Sequence, residues 1–155
     1  RYRVLRLYNR RTAANTLDFL DCVIEEMPFP IQRVQTDRGL EFFAEKVQKK
    51  MMEYGIKFRP NKPGSPHLNG KVERSQKTDK TEFYATVDIT SENLQDQLAE
   101  WQHYYNWLRP HSALKGKTPM ERYFELSEET PFSDEVQNQY NSSDCKYPKL
   151  KTTSK

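Results

Sequence analysis

The chain has 155 residues, a mass of 18.5 kDa, a hydrophobic fraction of 35% and a charged fraction of 30%. Lys and Arg number 25 against 22 Asp and Glu, a net charge of +3. No apolar run approaches the roughly 18 residues of a membrane span, and aromatics at 12% weigh against a wholly disordered chain.

Arg1 to Tyr8 alternates apolar and basic residues and reads as a strand. Thr12 caps a predicted helix in which Leu17, Leu20, Ile24 and Met27 recur at helical spacing, and Pro28 and Pro30 stop it. Ile31 to Thr36 reads as a short strand, broken at Asp37-Arg38-Gly39, where Gly39 can supply a positive-φ turn. Ala44 to Tyr54 is a second helix, with Val47 and Met51 on its apolar stripe and Gly55 as the residue past its C-terminus. Ile56 to Arg59 is another short strand, and Pro60 to Gly70 a loop. Helix resumes near Asn69 or Gly70 and runs to about Tyr84, with sparse apolar content. A last clear helix begins near Ser91, places Leu94, Leu98, Trp101, Tyr105 and Leu108 on one core-facing stripe, and ends at Arg109-Pro110. After about Leu126 the chain is polar and aperiodic. Strands alternating with helices predict an α/β fold.

The charge is unevenly spread. Between Lys57 and Glu82 stand seven basic residues and three acidic ones, whereas the stretch from Ser127 to Asp144 is acidic. Cys22 and Cys145 lie far apart without a CxxC partner, which weighs against a zinc site or a disulfide framework and fits a reducing, intracellular setting. Cys22, within an apolar helical stretch, reads as a small core residue.

Two carboxylates stand out by position. Asp37 ends a predicted strand, and Glu73 lies one turn into a helix, with 35 residues between them (38 to 72). Strand C-termini are where α/β proteins place their sites, and paired carboxylate oxygens suit hard divalent cations. Taken singly, Asp37 is a turn former and Glu73 a solvated helix residue. At about 100° per residue, Asn69, Glu73, Gln76, Lys77 and Lys80 share one arc of roughly 100°. Lys77 and Lys80 on that arc can meet phosphates, and Lys71 and Arg74 lie off it. His67 reads as a surface histidine, and Arg109 and His111 follow the last helix, in a segment that the resemblance described below implies is structural.

Three motifs carry a resemblance. They are Thr36-Asp37-Arg38-Gly39-x-Glu41-Phe42, then Gly64-Ser65-Pro66-x-x-Asn69-Gly70-Lys71-Val72-Glu73-Arg74, then Tyr105-Asn106-x-x-Arg109-Pro110-His111-Ser112-Ala113-Leu114 through Thr118-Pro119. In order and spacing they resemble the integrase catalytic core of DDE transposases, the retroviral-integrase-type transposases of bacterial insertion sequences. Arg38 stands where that family usually has Asn. The resemblance implies an RNase H-like fold, two Mg²⁺ or Mn²⁺ ions, and the cutting and joining of DNA. It implies that Asp37 and Glu73 are metal-binding members of the catalytic set, and that Asn69, Lys77, Lys80, Lys71 and Arg74 are DNA-binding positions. The implied partners are transposon ends, target DNA and further copies of the chain, and the implied location is the bacterial cytoplasm, on the nucleoid when DNA is bound.

The family's catalytic set has a third carboxylate, an Asp on the first strand of the sheet. Asp18 and Asp21, the aspartates before Asp37, fall within the first predicted helix instead. The expectation is therefore an RNase H-like integrase core lacking its first two strands, partial over residues 1–126, with an irregular polar C-terminal tail over 127–155. Arg1 reads as a cut through the core rather than a native start, and the sheet is expected to have open edges.

Overall fold

The structure, a computed structural model, describes residues 1–62, 64–65, 69–141 and 143. His67 and Cys145 lie outside them. No helix among the described residues is long and apolar enough to cross a membrane.

Helix α1 spans Ala13–Glu26, and Thr12 caps it as expected, its hydroxyl accepting the Asn15 N–H at 3.1 Å. Strand β1 spans Arg33–Thr36 and pairs in parallel with β2, Lys57–Pro60, with Arg33 opposite Lys57. A 3-10 turn over Leu40–Phe43 leads into helix α2, Glu45–Glu53. Gly55 ends α2 at φ +66, so the sequence expectation holds there. Gly39 differs: its φ is −58, and an added Cβ would meet the Glu41 carboxylate, the movable end of a flexible side chain. Neither backbone nor space demands glycine at 39.

Parallel pairing with the α2 connection between the strands gives one βαβ unit. Its core is Leu20, Phe43, Val47, Met51, Ile56 and Phe58. Val47 and Phe58 are each 1% exposed, and burying a side chain of that kind contributes about 1.5–3 kcal/mol. Among the described residues each strand has one neighbour, so each keeps an open edge. A groove of about 710 Å³ runs past residues 30–35, along β1.

Helix α3, Gly70–Asp79, continues without a break into a π-turn over Lys80–Tyr84. Helix α4, Leu94–Trp107, packs on that turn through a second core of Phe83, Leu94, Leu98, Trp101 and Tyr105. Leu108 departs from the predicted stripe: α4 ends at Trp107, and Leu108, in a non-helical conformation, is 62% exposed. Asn106 is the buried residue instead, at 1%.

The expected strand at Arg1–Tyr8 is not one. The segment lies along α4, and side-chain amides take the place of a strand neighbour. Arg3 N–H donates to Asn106 Oδ1 at 2.9 Å, and Asn106 Nδ2 donates back to Arg3 O at 2.8 Å. Leu5 N–H donates to Gln102 Oε1 at 2.6 Å, and Leu7 N–H to Gln95 Oε1 at 3.0 Å. The burial does not alternate either, since the neighbours Arg3 and Val4 are both buried, and the ladder that defines a strand is absent.

Helix α5 spans Pro119–Glu125, with Pro119 at its first position and a capping box between Thr118 and Glu121. The chain beyond Leu126 is not wholly irregular. Residues Ser133–Asn138 form helix α6, whose Val136 is 6% exposed, and Gln137 and Tyr140 lie beside Gly55. Cys22 is half-buried rather than a core residue.

Candidate nucleic-acid and metal site

Asp37 follows directly on Thr36, the last residue of β1. It is exposed, and one carboxylate oxygen accepts the Gly39 N–H at 3.1 Å. Its remaining lone pairs face solvent. Glu73 sits in the first turn of α3, also exposed, and has no hydrogen-bond or ion-pair partner among the described residues.

One residue joins the two positions. Asn61, 7% exposed, donates its backbone N–H to Thr36 O at 2.9 Å, beside Asp37. Its side-chain oxygen accepts from Gln35 Nε2 at 2.6 Å, and its Nδ2 donates to Asn69 Oδ1, one turn before Glu73. Asn61 thus ties the end of β1 to the start of α3. A buried amide with both ends bonded fixes direction as well as distance. Sequence reasoning missed Asn61, because an Asn after a strand and before a Pro-rich loop reads as a turn former. Asn69 takes part in the same chain, and its own amide N–H₂ has no partner among the described residues.

Lys77 and Lys80 are exposed and share the Glu73 side of α3. The neighbouring acids that could neutralise them are engaged elsewhere. Asp79 pairs with Arg3 and accepts the Trp101 indole N–H at 2.9 Å. Glu82 holds Arg109 through two bonds of 2.6 and 2.5 Å, and that guanidinium keeps the Glu82 carboxyl below its usual range. Lys77 and Lys80 are left without an ion pair among the described residues. Lys71 and Arg74 are exposed too, on the other side of α3.

Several readings of supporting residues hold. Asp18 accepts the Tyr8 hydroxyl at 2.5 Å, and Asp21 faces Lys50 at 3.5 Å, so both belong to α1 packing rather than to the site. Trp101 and Tyr105 are core residues. Arg38 carries its guanidinium over the Phe43 ring, 5.9 Å from the centroid, which leaves Asp37 free.

The donor set can be tested against a metal by its chemistry. Two exposed carboxylates fit one Mg²⁺ or Mn²⁺, which binds through one or two carboxylates with waters and substrate phosphates completing its shell. They do not make up a two-ion centre. Among the described residues no group of three His, Cys, Asp or Glu could hold an ion.

Comparisons with known proteins give the family and the fold. A family model described as "Integrase core domain" matches residues 1–66, and a second with the same description matches residues 54–119. Together they cover the chain from Arg1 to Pro119, both strands and both carboxylates included. The crystal structure of the catalytic core domain of BIV integrase is similar with a TM-score of 0.64 and 22% identity, over 80% of this chain and 78% of that one. That likeness shows the RNase H-like fold of an integrase catalytic core. No curated protein matches the chain.

Proposed function

Because this chain belongs to the integrase core domain family, we propose that it serves metal-dependent cutting and joining of DNA strands, as part of a DDE transposase or integrase of the insertion-sequence type. The observation that carries the reading is the Asn61 bridge between the end of β1 and the start of α3. It supports Asp37 and Glu73 as carboxylates of one site, with Lys77 and Lys80 extending the same side of α3.

Each residue then has a task. The Glu73 and Asp37 oxygens would hold one Mg²⁺ or Mn²⁺, and that ion, when bound, polarises a phosphodiester. Lys77 and Lys80, unpaired and about one and two turns beyond Glu73, bind backbone phosphates and set the register of the DNA. Asn69 offers an amide to the strand while Asn61 holds it in place. Two ions assist the attacking and leaving oxygens in two-metal phosphoryl transfer, and two carboxylates do not arrange two ions. By itself, then, this 155-residue polypeptide binds DNA and does not join strands. Work as a multimer on paired DNA ends, in a bacterial cytoplasm, follows from the family reading.

A second reading shares the Lys77 and Lys80 surface: a DNA-binding module without chemistry, favoured by the same shortage of a third carboxylate. The test is fluorescence anisotropy with labelled duplex DNA, with and without Mg²⁺, alongside a strand-transfer assay. The main reading expects salt-dependent binding, weakened by Lys77→Ala with Lys80→Ala, and strengthened by Mg²⁺ only while Glu73 and Asp37 are intact. Binding indifferent to Glu73→Gln in Mg²⁺ favours the module. Absence of DNA binding overturns both, and strand transfer by this polypeptide alone, lost on Asp37→Asn, overturns its inactivity.

A further inference from the structure

The turn that enters α6 carries an aromatic ring with nothing against it. Phe132 is 78% exposed and makes no ring contact among the described residues. The turn is stiff all the same. Phe132 N–H donates to Glu135 Oε2 at 2.8 Å, Val136 N–H donates to Phe132 O at 3.1 Å, and the Thr130 hydroxyl donates to Leu126 O at 2.8 Å. Val136, 6% exposed, and Gln137, beside Gly55, fasten α6 to the βαβ unit. A large apolar ring on a turn already ordered suits a protein contact, because seating it costs little further entropy.

Negative charge surrounds the ring. No Lys, Arg or His stands between Ser127 and Tyr140. Glu128, Glu129 and Asp134 are exposed and have no ion pair among the described residues.

The opposite chemistry lies elsewhere on the same chain. A cavity of about 590 Å³ opens between α3 and the segment after α4, and no Asp or Glu among the described residues lines it. Two of its cations are engaged. Arg3 pairs with Asp79 and stacks on the Tyr105 ring at 3.5 Å, and Arg109 is held by Glu82. Arg1, Lys71 and Arg74 are exposed and have no ion pair among the described residues. Tyr2, Pro110 and Ala113 give the cavity apolar wall.

Phe132 does not line this cavity, so ring and cavity do not meet within one copy. Between two copies they match twice. The cavity offers the ring apolar sides and guanidinium groups, which favour an aromatic face. Three unpaired acids beside the ring then face three unpaired cations at the cavity, Arg1, Lys71 and Arg74.

We propose that the turn at 131–134 of one copy docks in this cavity of a second copy. The contact is head-to-tail, since each copy gives one surface and receives on another, and it leaves a free turn at one end and a free cavity at the other. It rests on neither the metal site nor the DNA reading. A turn in a cavity buries less than the roughly 1,200–2,000 Å² of a stable interface, so the association is reversible, rises with concentration and weakens with salt.

Sedimentation velocity on the 155-residue chain, freed of nucleic acid, tests it. At low salt the unaltered chain should pass from monomer to dimer and then to longer assemblies as concentration rises. Lys71→Glu with Arg74→Glu removes the receiving surface, and Phe132→Ala with Asp134→Lys the entering one. Each double variant alone should associate about ten-fold more weakly, or less still. Mixed in equal parts, the two should regain the association of the unaltered chain and stop at the dimer, because one intact turn meets one intact cavity. All four positions are exposed, and an unchanged melting temperature shows the variants folded. Where a double variant melts lower, the single changes Arg74→Gln and Phe132→Ser repeat the mixture. An unaltered chain that stays monomeric, association equal in the unaltered chain and both variants, or a mixture that stays monomeric overturns the proposal. No duplex enters any arm, so a failure here leaves the DNA reading to its own test.

Discussion

Asn106 shows how much one side chain can settle. It is 1% exposed and supplies both an acceptor and a donor to the backbone of Arg3. Replacing it by Leu keeps the volume and leaves a buried N–H and a buried C=O unpaired, each worth about 1–3 kcal/mol. Urea unfolding of Asn106→Leu should therefore show a loss of roughly 2–6 kcal/mol, with the midpoint shifted and the slope unchanged. His111 makes a pH prediction. Its ring is 5% exposed, touches Arg109 Nη1 and faces Tyr105 O at 3.4 Å, and burial keeps it easier to deprotonate than a free histidine. On acidification the unfolded chain takes the proton first, near pH 6.5. Stability is thus full above that value and declines as pH falls from it towards the lowered folded value. Melting temperature should drop over that window, and His111→Gln should flatten the drop. The Glu82–Arg109 pair acts elsewhere: the Glu82 carboxyl is lowered by its bond to Arg109, so that pair is kept until pH falls below the ordinary carboxylate range.

Among the elements, α1, α2 and α4 were plain in the sequence, since apolar spacing and end signals agreed. Thr12 caps α1, and Gly55 closes α2 in the left-handed region. The segment Arg1–Tyr8 misled because its apolar and basic residues alternate in sequence, while its backbone is satisfied by Gln95, Gln102 and Asn106 from a helix. Helix α5 had a readable signal in Thr118-Pro119-x-Glu121, a Pro-started capping box. Helix α6 had none, because Val136 is the one residue of its six that is buried. Of the candidate site, the places of Asp37 after β1 and Glu73 in the first turn of α3 were legible from spacing and motif, and the Asn61 bridge was not, because its meaning depends on what β1 and α3 bring to it. Val136 tests the weight of α6. Truncating it to Ala removes two methyl groups from a covered position and should cost about 2 kcal/mol, measured by thermal or urea unfolding. A change near zero would show that α6 adds nothing to the βαβ unit beneath it.

At the scale of the whole molecule, two apolar cores sit side by side. One lies in the βαβ unit and one between α4 and the turn that follows α3. Residues 1–8 belong to neither by sequence neighbourhood, yet Leu5 packs on the second core. The hydrogen bonds that hold this segment span 103, 97 and 88 residues of chain. Contacts of that span close the largest loops and are slow to form. Residues 1–8 are made before the helix that receives them, so their bonds form only once α4 is in place. Until Gln95, Gln102 and Asn106 have been made and α4 has coiled, Arg3, Leu5 and Leu7 have no amide oxygen to receive them. Synthesis order and folding order run in opposite directions at this edge of the molecule.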